Sequence, residues 1–188
     1  EPASIYNGLY NKESQDHEMG NVLDWKLLEA AKPALDSLQK VTASFNIKNI
    51  DRTTGTILSN EISKKYKSAG LPDETIHFKF TGTAGQSFGA FNTKGVTMEL
   101  EGDANDYFGK GLSGAKLIVY PSANARFVPE DSIILGNVAF YGATSGESYI
   151  RGKAAERFAV RHSCETAGGE GGWGHVCEYR HGVRGGVW

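Results

Sequence analysis

The chain has 188 residues and a mass of 20.3 kDa, which suits one sizeable core with a short extension better than two large domains. With a net charge of -2 and a pI of about 6.2, the chain as a whole is not attracted electrostatically to nucleic acid or to an anionic membrane surface. No apolar run approaches the roughly 20 residues that cross a bilayer. Protein or small-molecule partners are therefore expected, without nucleic acid or membrane.

Cysteine is scarce and glycine is abundant. Cys164 and Cys177 are too few for a disulfide-stapled secreted scaffold, and the chain does not open on a basic-then-apolar leader, so we expect a cytoplasmic protein. The 24 glycines exceed the roughly 7% of average composition and concentrate after Gly82. This concentration predicts many tight turns.

The first part of the chain divides into an arm and a mixed α/β segment. Residues 1–20 are polar and lack a period, which predicts a linker or surface arm and is compatible with a fragment. In residues 21–80, helical spacing begins at Leu23, and Pro33 is expected to end that helix or start a new turn. Two period-two strands, at 41–49 and 75–80, flank a second helix that carries Leu58 and Ile62.

After Phe80 the helical period disappears. Short β-favouring pieces alternate with glycine over residues 81–188: GVTMELEG, AKLIVYPS, SIILGNVAFYG and ERFAVRHS. An aromatic residue precedes a glycine by two positions at three places, giving an approximate repeat: Phe80/Gly82, Tyr107/Gly109 and Phe140/Gly142.

Short strands with recurring glycine turns favour coils stacked on one another, as in a β-helix, while a β-sandwich remains open. Corners between coils need positive φ and room for a neighbouring backbone. The predicted glycine corners are Gly82, Gly85, Gly89, Gly109, Gly111, Gly114, Gly142, Gly146 and Gly152.

Two short motifs suggest chemistry. GQSFG matches the G-x-S-x-G turn that presents a nucleophilic serine, here Ser87, but that turn needs a following helix and AFNTKGVTMEL is β-like. The run from Gly109 to Gly114 matches a dinucleotide fingerprint, yet a strand-like AKLIVY follows it instead of a helix. We therefore expect neither a catalytic residue nor a cofactor site.

Two clusters carry possible metal ligands. Glu101, Asp103, Asn105 and Asp106 lack the spacing of an EF-hand and fit a turn better than a calcium site. The tail brings together His162, Cys164, His175, Cys177 and His181, but their spacing is not that of a zinc site, and glycine-rich flanks favour a poorly ordered end. We predict no metal site.

Longer matches indicate a family. They lie in QDHEMGNVLDWKLL, in IKNIDRTTGTILSNEISKKY with AGLP, in GTAGQSFGAF, in GVTMELEGDANDYFGKGLSGAKLIVYP, and in IILGNVAFYGATSGESYIRG with ERFAVR. From about Asp16 to Tyr179 the chain resembles the C-terminal part of the large (alpha) subunit of glutamate synthase, the domain named for its G-x-G-x-G repeats.

This resemblance implies a fold and a role. It implies a mainly β fold, a right-handed β-helix preceded by the small α/β segment, that scaffolds the amidotransferase and FMN-binding synthase domains. The parent enzyme makes glutamate from glutamine and 2-oxoglutarate with FMN and an iron–sulfur cluster, whose binding residues lie outside this segment. The 188-residue chain alone is then expected to be inactive.

The tail departs from the family, and other readings stay open. Ala155, His162 and Cys164 replace usual residues, and the stretch after Cys177 does not continue the family pattern, so the last coil is uncertain from about residue 164. One alternative is a stand-alone β-helix subunit of another oxidoreductase such as formylmethanofuran dehydrogenase. Another is a carbohydrate-active β-helix protein, whose sugar groove would use Tyr107, Phe108, Tyr120, Phe140, Tyr141 and Tyr149.

Overall fold

The computed structural model describes residues 14–161 and the backbone of residues 183–186. Within them lie two α-helices, α1 (Asp24–Ser37) and α2 (Thr56–Tyr66), and short 3-10 helices at Met19–Asn21, Lys67–Ala69 and Pro129–Asp131. The strands are β1 (Val41–Ile47), β2 (Ile76–Ala84), β3 (Val96–Ala104), β4 (Ser113–Tyr120), β5 (Ile133–Leu135), β6 (Ser145–Ile150), β7 (Lys153–Ala154) and β8 (Val183–Gly186).

Helix α1 begins near the predicted position but continues past Pro33. Its buried face is formed by Leu27, Ala31 and Ala34, which recur at helical spacing. A proline inside a helix removes the hydrogen bond to the carbonyl four residues earlier. Here that carbonyl belongs to Glu29, an exposed residue, so water can replace the missing N–H. The helix therefore ends only at Ser37, with Leu38 in a left-handed cap.

The strands form one parallel sheet. Its order is β1-β2-β3-β4-β6-β8, and β5 pairs with β3 and β7 off this path. The register brings apolar residues of successive strands side by side, in a row that runs Phe45, Phe80, Leu100, Val119 and Ile150. Side chains of α1 and α2 pack into the same hydrophobic core.

The prediction of a mainly β, right-handed β-helix is wrong. The fold is α/β, with an open parallel sheet and two helices. The expected coils would need additional strands between consecutive strands of the sheet, but residues 85–95, between β2 and β3, and residues 105–112, between β3 and β4, form turns. In the first of them Ser87, Gly89 and Phe91 all have positive φ, between 56° and 70°. A strand cannot continue through left-handed residues, so these segments do not build further sheets.

The turn segments nevertheless pair with one another. The backbone N–H of Ser87 donates to the carbonyl of Asp106, 2.8 Å away, and the N–H of Tyr107 donates to Asn137 at 2.9 Å. The N–H of Val138 repeats the contact with Glu156, also at 2.9 Å. Val138 has a φ of 62° and Arg157 a φ of 61°. The pieces NVAFYG and ERFAVR, expected as strands, therefore belong to these stacked turns.

A row of phenylalanine rings fills the space between the sheet and the turns. The rings of Phe80, Phe88, Phe108, Phe140 and Phe158 follow one another with centroid separations of 5.2, 5.8, 5.4 and 5.4 Å. Three of these contacts are edge-on and one is stacked, which are the arrangements that aromatic rings prefer. Each turn except the last thus contributes a buried ring to the core.

A buried carboxylate joins the two helices. Asp24, 4% exposed, accepts hydrogen bonds from the backbone N–H groups of Gly55 and Ile57, each 2.7 Å away, at the start of α2. Burial raises the pKa of Asp24, and the backbone hydrogen bonds from Gly55, Ile57 and Leu58 partly offset that rise. The N-terminus of α2 is therefore capped by a side chain from α1.

Replacing this cap should destabilise the fold. We expect Asp24→Ala to lower the free energy of unfolding by about 3 kcal/mol, because it leaves buried N–H groups without an acceptor. Asp24→Asn should cost less, since one amide oxygen remains. Urea denaturation of both variants measures this, with Asp36→Ala as control because Asp36 is exposed and forms a surface ion pair with Lys65. Equal losses for Asp24→Ala and Asp36→Ala would contradict the capping role.

Candidate functional site

Ser87 lies in the first turn segment, between β2 and β3. Its φ is 63°, and its backbone N–H is used in the contact with Asp106. The chain then passes through a turn into β3 at Val96 rather than into a helix. A nucleophile elbow needs that helix to support the oxyanion. Ser87 therefore belongs to the stacked turns. That Ser87 has no catalytic function stays a prediction.

The dinucleotide-like run is also part of a turn. Gly109 and Gly111 precede β4, and Gly114 lies within that strand. No helix begins here to receive a pyrophosphate at its N-terminus. The N–H of Gly109 donates to the carbonyl of Phe88 at 2.9 Å, and that of Gly111 donates to Tyr141 at 2.8 Å. These N–H groups are therefore engaged within the protein.

The acidic cluster is divided between a strand and a turn. Glu101 pairs with Lys79 at 3.3 Å, and Asp103 accepts from the Thr83 hydroxyl at 2.9 Å. Asn105 and Asp106 lie beyond β3, where their oxygens accept backbone hydrogen bonds. Residues 14–161 contain no group of three or more acidic, histidine or cysteine side chains arranged to hold a metal ion. The candidate ligands His162, Cys164, His175, Cys177 and His181 lie outside the described residues.

The aromatic residues proposed for a sugar groove do not share a surface. Phe108 and Phe140 are buried in the core. The hydroxyl groups of Tyr120 and Tyr149 contact glutamates on the polar face of the sheet. Tyr107 lies in a turn under the ammonium of Lys110, 5.4 Å from the ring centroid, while Tyr141 is half-buried in the next turn. A single groove lined by these rings is therefore not present.

Most of the predicted glycine corners have backbone conformations that favour glycine. Positive φ occurs at Gly82, Gly89, Gly109, Gly111, Gly114, Gly142, Gly146 and Gly152. Gly85 differs, because its φ is not positive. A Cβ at that position would lie 2.6 Å from the carbonyl oxygens of Asn49 and Asp51, so contact with the neighbouring chain is what restricts it.

The tightest glycine contact was missed by the sequence prediction. Gly82 and Gly102 are partners in the β2–β3 register, and a Cβ on Gly102 would lie 1.8 Å from the carbonyl oxygen of Gly82. The signal in the sequence is that Gly82 and Gly102 each stand two positions after a buried apolar residue, Phe80 and Leu100. Equal placement in neighbouring parallel strands brings the two glycines together.

The outward face of the sheet carries a cluster of titratable groups centred on Glu99. Its carboxylate contacts His77 Nε2 at 2.9 Å, Lys79 Nζ at 3.6 Å and the hydroxyl of Tyr120. Burial alone would raise the pKa of Glu99, but hydrogen bonds from Tyr120 and His77 and the charge of Lys79 outweigh it, so the pKa is lowered. A hydrogen bond that the Lys79 ammonium donates to the Tyr120 oxygen, together with contact to Glu101, raises the pKa of Lys79.

Strand register explains why this cluster forms. Lys79 is paired directly with Glu99 across β2 and β3, and Glu101 lies opposite Tyr120 across β3 and β4. The alternating pattern of the sequence indicated which side of β2 faces outward. It does not show which strand lies beside β2. Clustered, shifted pKa values mark functional sites in some proteins and structural ion-pair networks in others. These charged side chains pair with one another on one exposed face. The cluster is therefore better explained as a structural ion-pair network than as a functional site.

An open parallel sheet with stacked glycine turns defines the class of the protein. The chain belongs to the family of the GXGXG motif, which matches residues 24–187. The resemblance found in the sequence is thereby confirmed.

Particular relatives are glutamate synthases. The chain is 51% identical over 175 residues to the NADH glutamate synthase of Schizosaccharomyces pombe, covering 93% of this chain and 8% of that protein. It is 52% identical over 169 residues to the NADPH glutamate synthase large chain of Bacillus subtilis, covering 89% of this chain and 11% of the relative. Ferredoxin-dependent glutamate synthase 2 of Synechocystis is 46% identical over 168 residues, with coverages of 88% and 11%.

The chain spans about a tenth of the length of these relatives. It corresponds to the GXGXG domain of their large chains, where this domain is accompanied by other parts of a long polypeptide. Within the part of the chain that the structure describes, no helix has the length and apolar character needed to cross a bilayer.

Two glycine substitutions compare φ strain alone, at Gly142, with φ strain combined with backbone contact, at Gly102, whose φ is +152°. Gly142→Ala should cost about 1–2 kcal/mol, because φ is +65° but no atom lies within 4 Å of the new Cβ. Gly102→Ala should cost at least about 3 kcal/mol, because the Cβ would overlap the Gly82 carbonyl and the strands would have to separate. Chemical denaturation of both variants tests this order, and a Gly102→Ala variant as stable as Gly142→Ala would contradict the register.

The Glu99 cluster should make stability depend on acid. Since its folded pKa is lowered from 4.5, the stabilisation by Glu99 is present above about pH 4.5 and is lost as pH falls through the folded pKa. Glu99→Gln should therefore reduce Tm at neutral pH and approach the parent chain in more acidic buffer. Glu29→Gln, in an exposed pair with Lys32, serves as control and should leave Tm unchanged. A Glu99→Gln deficit that persists unchanged into acid would overturn this assignment.

Proposed function

We propose that this chain is the structural GXGXG segment of a glutamate synthase large chain, where it holds the amidotransferase and synthase domains in their relative position. The observation that carries the proposal is the uneven coverage of the match. Nearly nine-tenths of this chain aligns at 52% identity with only 11% of the Bacillus subtilis large chain. An embedded domain of a long polypeptide has this relation to its parent.

The contacts that the residues make within the domain support a scaffold role. The predicted chemical motifs lie in turns whose N–H groups bond to neighbouring turns. The phenylalanines fill the core, and the charged side chains of the sheet pair with one another. Such a domain offers a stiff support, and rigid supports are what multi-domain catalysts need to keep distant sites in register.

Under this proposal the chemistry lies elsewhere in the parent enzyme. Glutamate synthesis from glutamine and 2-oxoglutarate, with FMN and an iron–sulfur cluster, would use parts of the large chain outside these 188 residues, present in the same polypeptide or as separate subunits. The match to glutamate synthases favours this reading over a subunit of formylmethanofuran dehydrogenase or a carbohydrate-active protein. The cytoplasmic location stays a prediction.

A segment exchange tests the proposal. We would replace the matching segment of the Bacillus subtilis large chain with this chain and measure glutamate formation from glutamine and 2-oxoglutarate. We expect most of the activity to be retained, because the scaffold is equivalent. The same exchange carrying Gly102→Ala is the matched control, and it should lose activity through loss of the fold. A soluble, folded exchange protein without activity would count against an equivalent scaffold role.

A further inference from the structure

Strand β1 forms a free edge of the parallel sheet. It pairs with β2 on one side, and within the described residues no strand pairs with its other side. The N–H of Val41 donates to the carbonyl of Thr75 at 2.8 Å, so Val41 and every second residue after it direct their backbone groups toward β2. Thr42, Ser44 and Asn46 therefore present their N–H and C=O groups to the open side. Such a row is a template on which another strand can pair.

The sequence of β1 suits pairing of this kind. The strand Val41–Ile47 reads VTASFNI, which contains β-branched and aromatic residues but neither a charged residue nor a proline. Uncharged segments of about seven residues with this composition add readily to one another where a sheet edge is open. The side chains of Thr42, Ser44 and Asn46 are exposed, so this row is accessible to another chain.

Two lysines flank the uncharged strand. Lys40 directly precedes β1 and Lys48 directly follows it, and both side chains are exposed. By alternation both positions share the outward face with Ser44. On the same face Lys79 and Lys116 form ion pairs with glutamates of neighbouring strands, whereas among the described residues neither Lys40 nor Lys48 has an acidic partner. Their charge is therefore not used by the ion pairs of the sheet.

Pairing between two copies of the chain would bring these lysines together. The antiparallel arrangement that uses all the open residues places Ser44 opposite the same residue of the second copy. In that register Lys40 faces Lys48, and the two-fold axis repeats the contact at the other end of the pair. Like charges directly opposite each other on neighbouring strands are destabilising. The backbone of the edge therefore favours self-pairing, and its flanking charges oppose it.

We propose that Lys40 and Lys48 keep the edge of β1 from pairing with a second copy of this chain. Lysine is one of the residues with which natural sheets protect an open edge. Because both lysines lie just outside β1, they leave its pairing with β2 unchanged. The excluded partner is a second copy, since an identical strand in the antiparallel register meets lysine with lysine at both ends.

Charge reversal in the full 188-residue chain tests the proposal. Lys40→Glu places a glutamate opposite Lys48 at both ends of the pair, so attraction replaces repulsion. We expect this variant to dimerise at least about tenfold more tightly than the parent chain, as measured by sedimentation velocity over a range of concentrations at low salt. Lys48→Glu should behave in the same way. The double variant with both changes makes like charges face again and should return to the monomer.

Two further variants test the register and the location. Ser44→Glu in the Lys40→Glu background places two glutamates opposite each other at the two-fold axis and should abolish the dimer. The monomer should tolerate this change, because the new carboxylate lies beside Lys79 in the register with β2. Lys26→Glu is the matched control, since Lys26 is an exposed lysine on α1, and it should leave the mass in solution unchanged. Circular dichroism checks that each variant is folded.

The outcomes are distinguishable. A dimer of the Lys40→Glu variant that the double variant abolishes would support the proposal. A folded Lys40→Glu variant that stays monomeric would overturn it, and so would a parent chain that is already dimeric at the same concentrations. Association that grows with every added glutamate, including Lys26→Glu, would reflect net charge rather than the β1 edge and would also overturn it. None of these results bears on the scaffold proposal, which the segment exchange tests separately.

Discussion

The parallel, in-register pairing of successive strands and turns is the constraint on which the rest of the structure depends. Strands β2 and β3 match residue for residue, and the turns that follow them pair through the backbone of Ser87 and Asp106. Because both parts of each repeat keep the same register, side chains at equivalent positions must stack. Phenylalanines then meet phenylalanines in the core, while glycines are required wherever two backbones approach too closely for a Cβ.

The same register determines the electrostatics of the outward face. Like charges directly opposite one another on neighbouring strands would repel, so facing charged residues on neighbouring strands should have opposite signs. Lys79 beside Glu99 meets this requirement, and Lys116 beside Glu147 repeats it two strands further on. Charged side chains of this face are thereby paired with one another. Surface pairs of this kind contribute modestly to stability, and their larger effect is to specify which strand lies beside which.

Local pattern sufficed for the helices and the longer strands but not for the connections between them. The period-two spacing around Phe78 predicted β2, and the helical spacing of Leu58 and Ile62 predicted α2. In contrast, NVAFYG and ERFAVR have β-favouring composition, yet Val138 and Arg157 adopt positive φ. Their conformation is imposed by hydrogen bonds to neighbouring turns, which are distant in sequence, so propensity could not reveal it. The β-helix prediction failed for this reason.

The Glu99 cluster was hidden from sequence for a related reason: its members belong to three strands and meet only through their register. A repeated register also explains how residues 121–134, which lie opposite only Gly102 and Asp103 of β3, can be accommodated. Pairing stops after Tyr120 and resumes at Leu135 in the same phase, so the inserted residues shift no core side chain from its row. An insertion that preserves phase leaves the supporting sheet unchanged while adding a new surface.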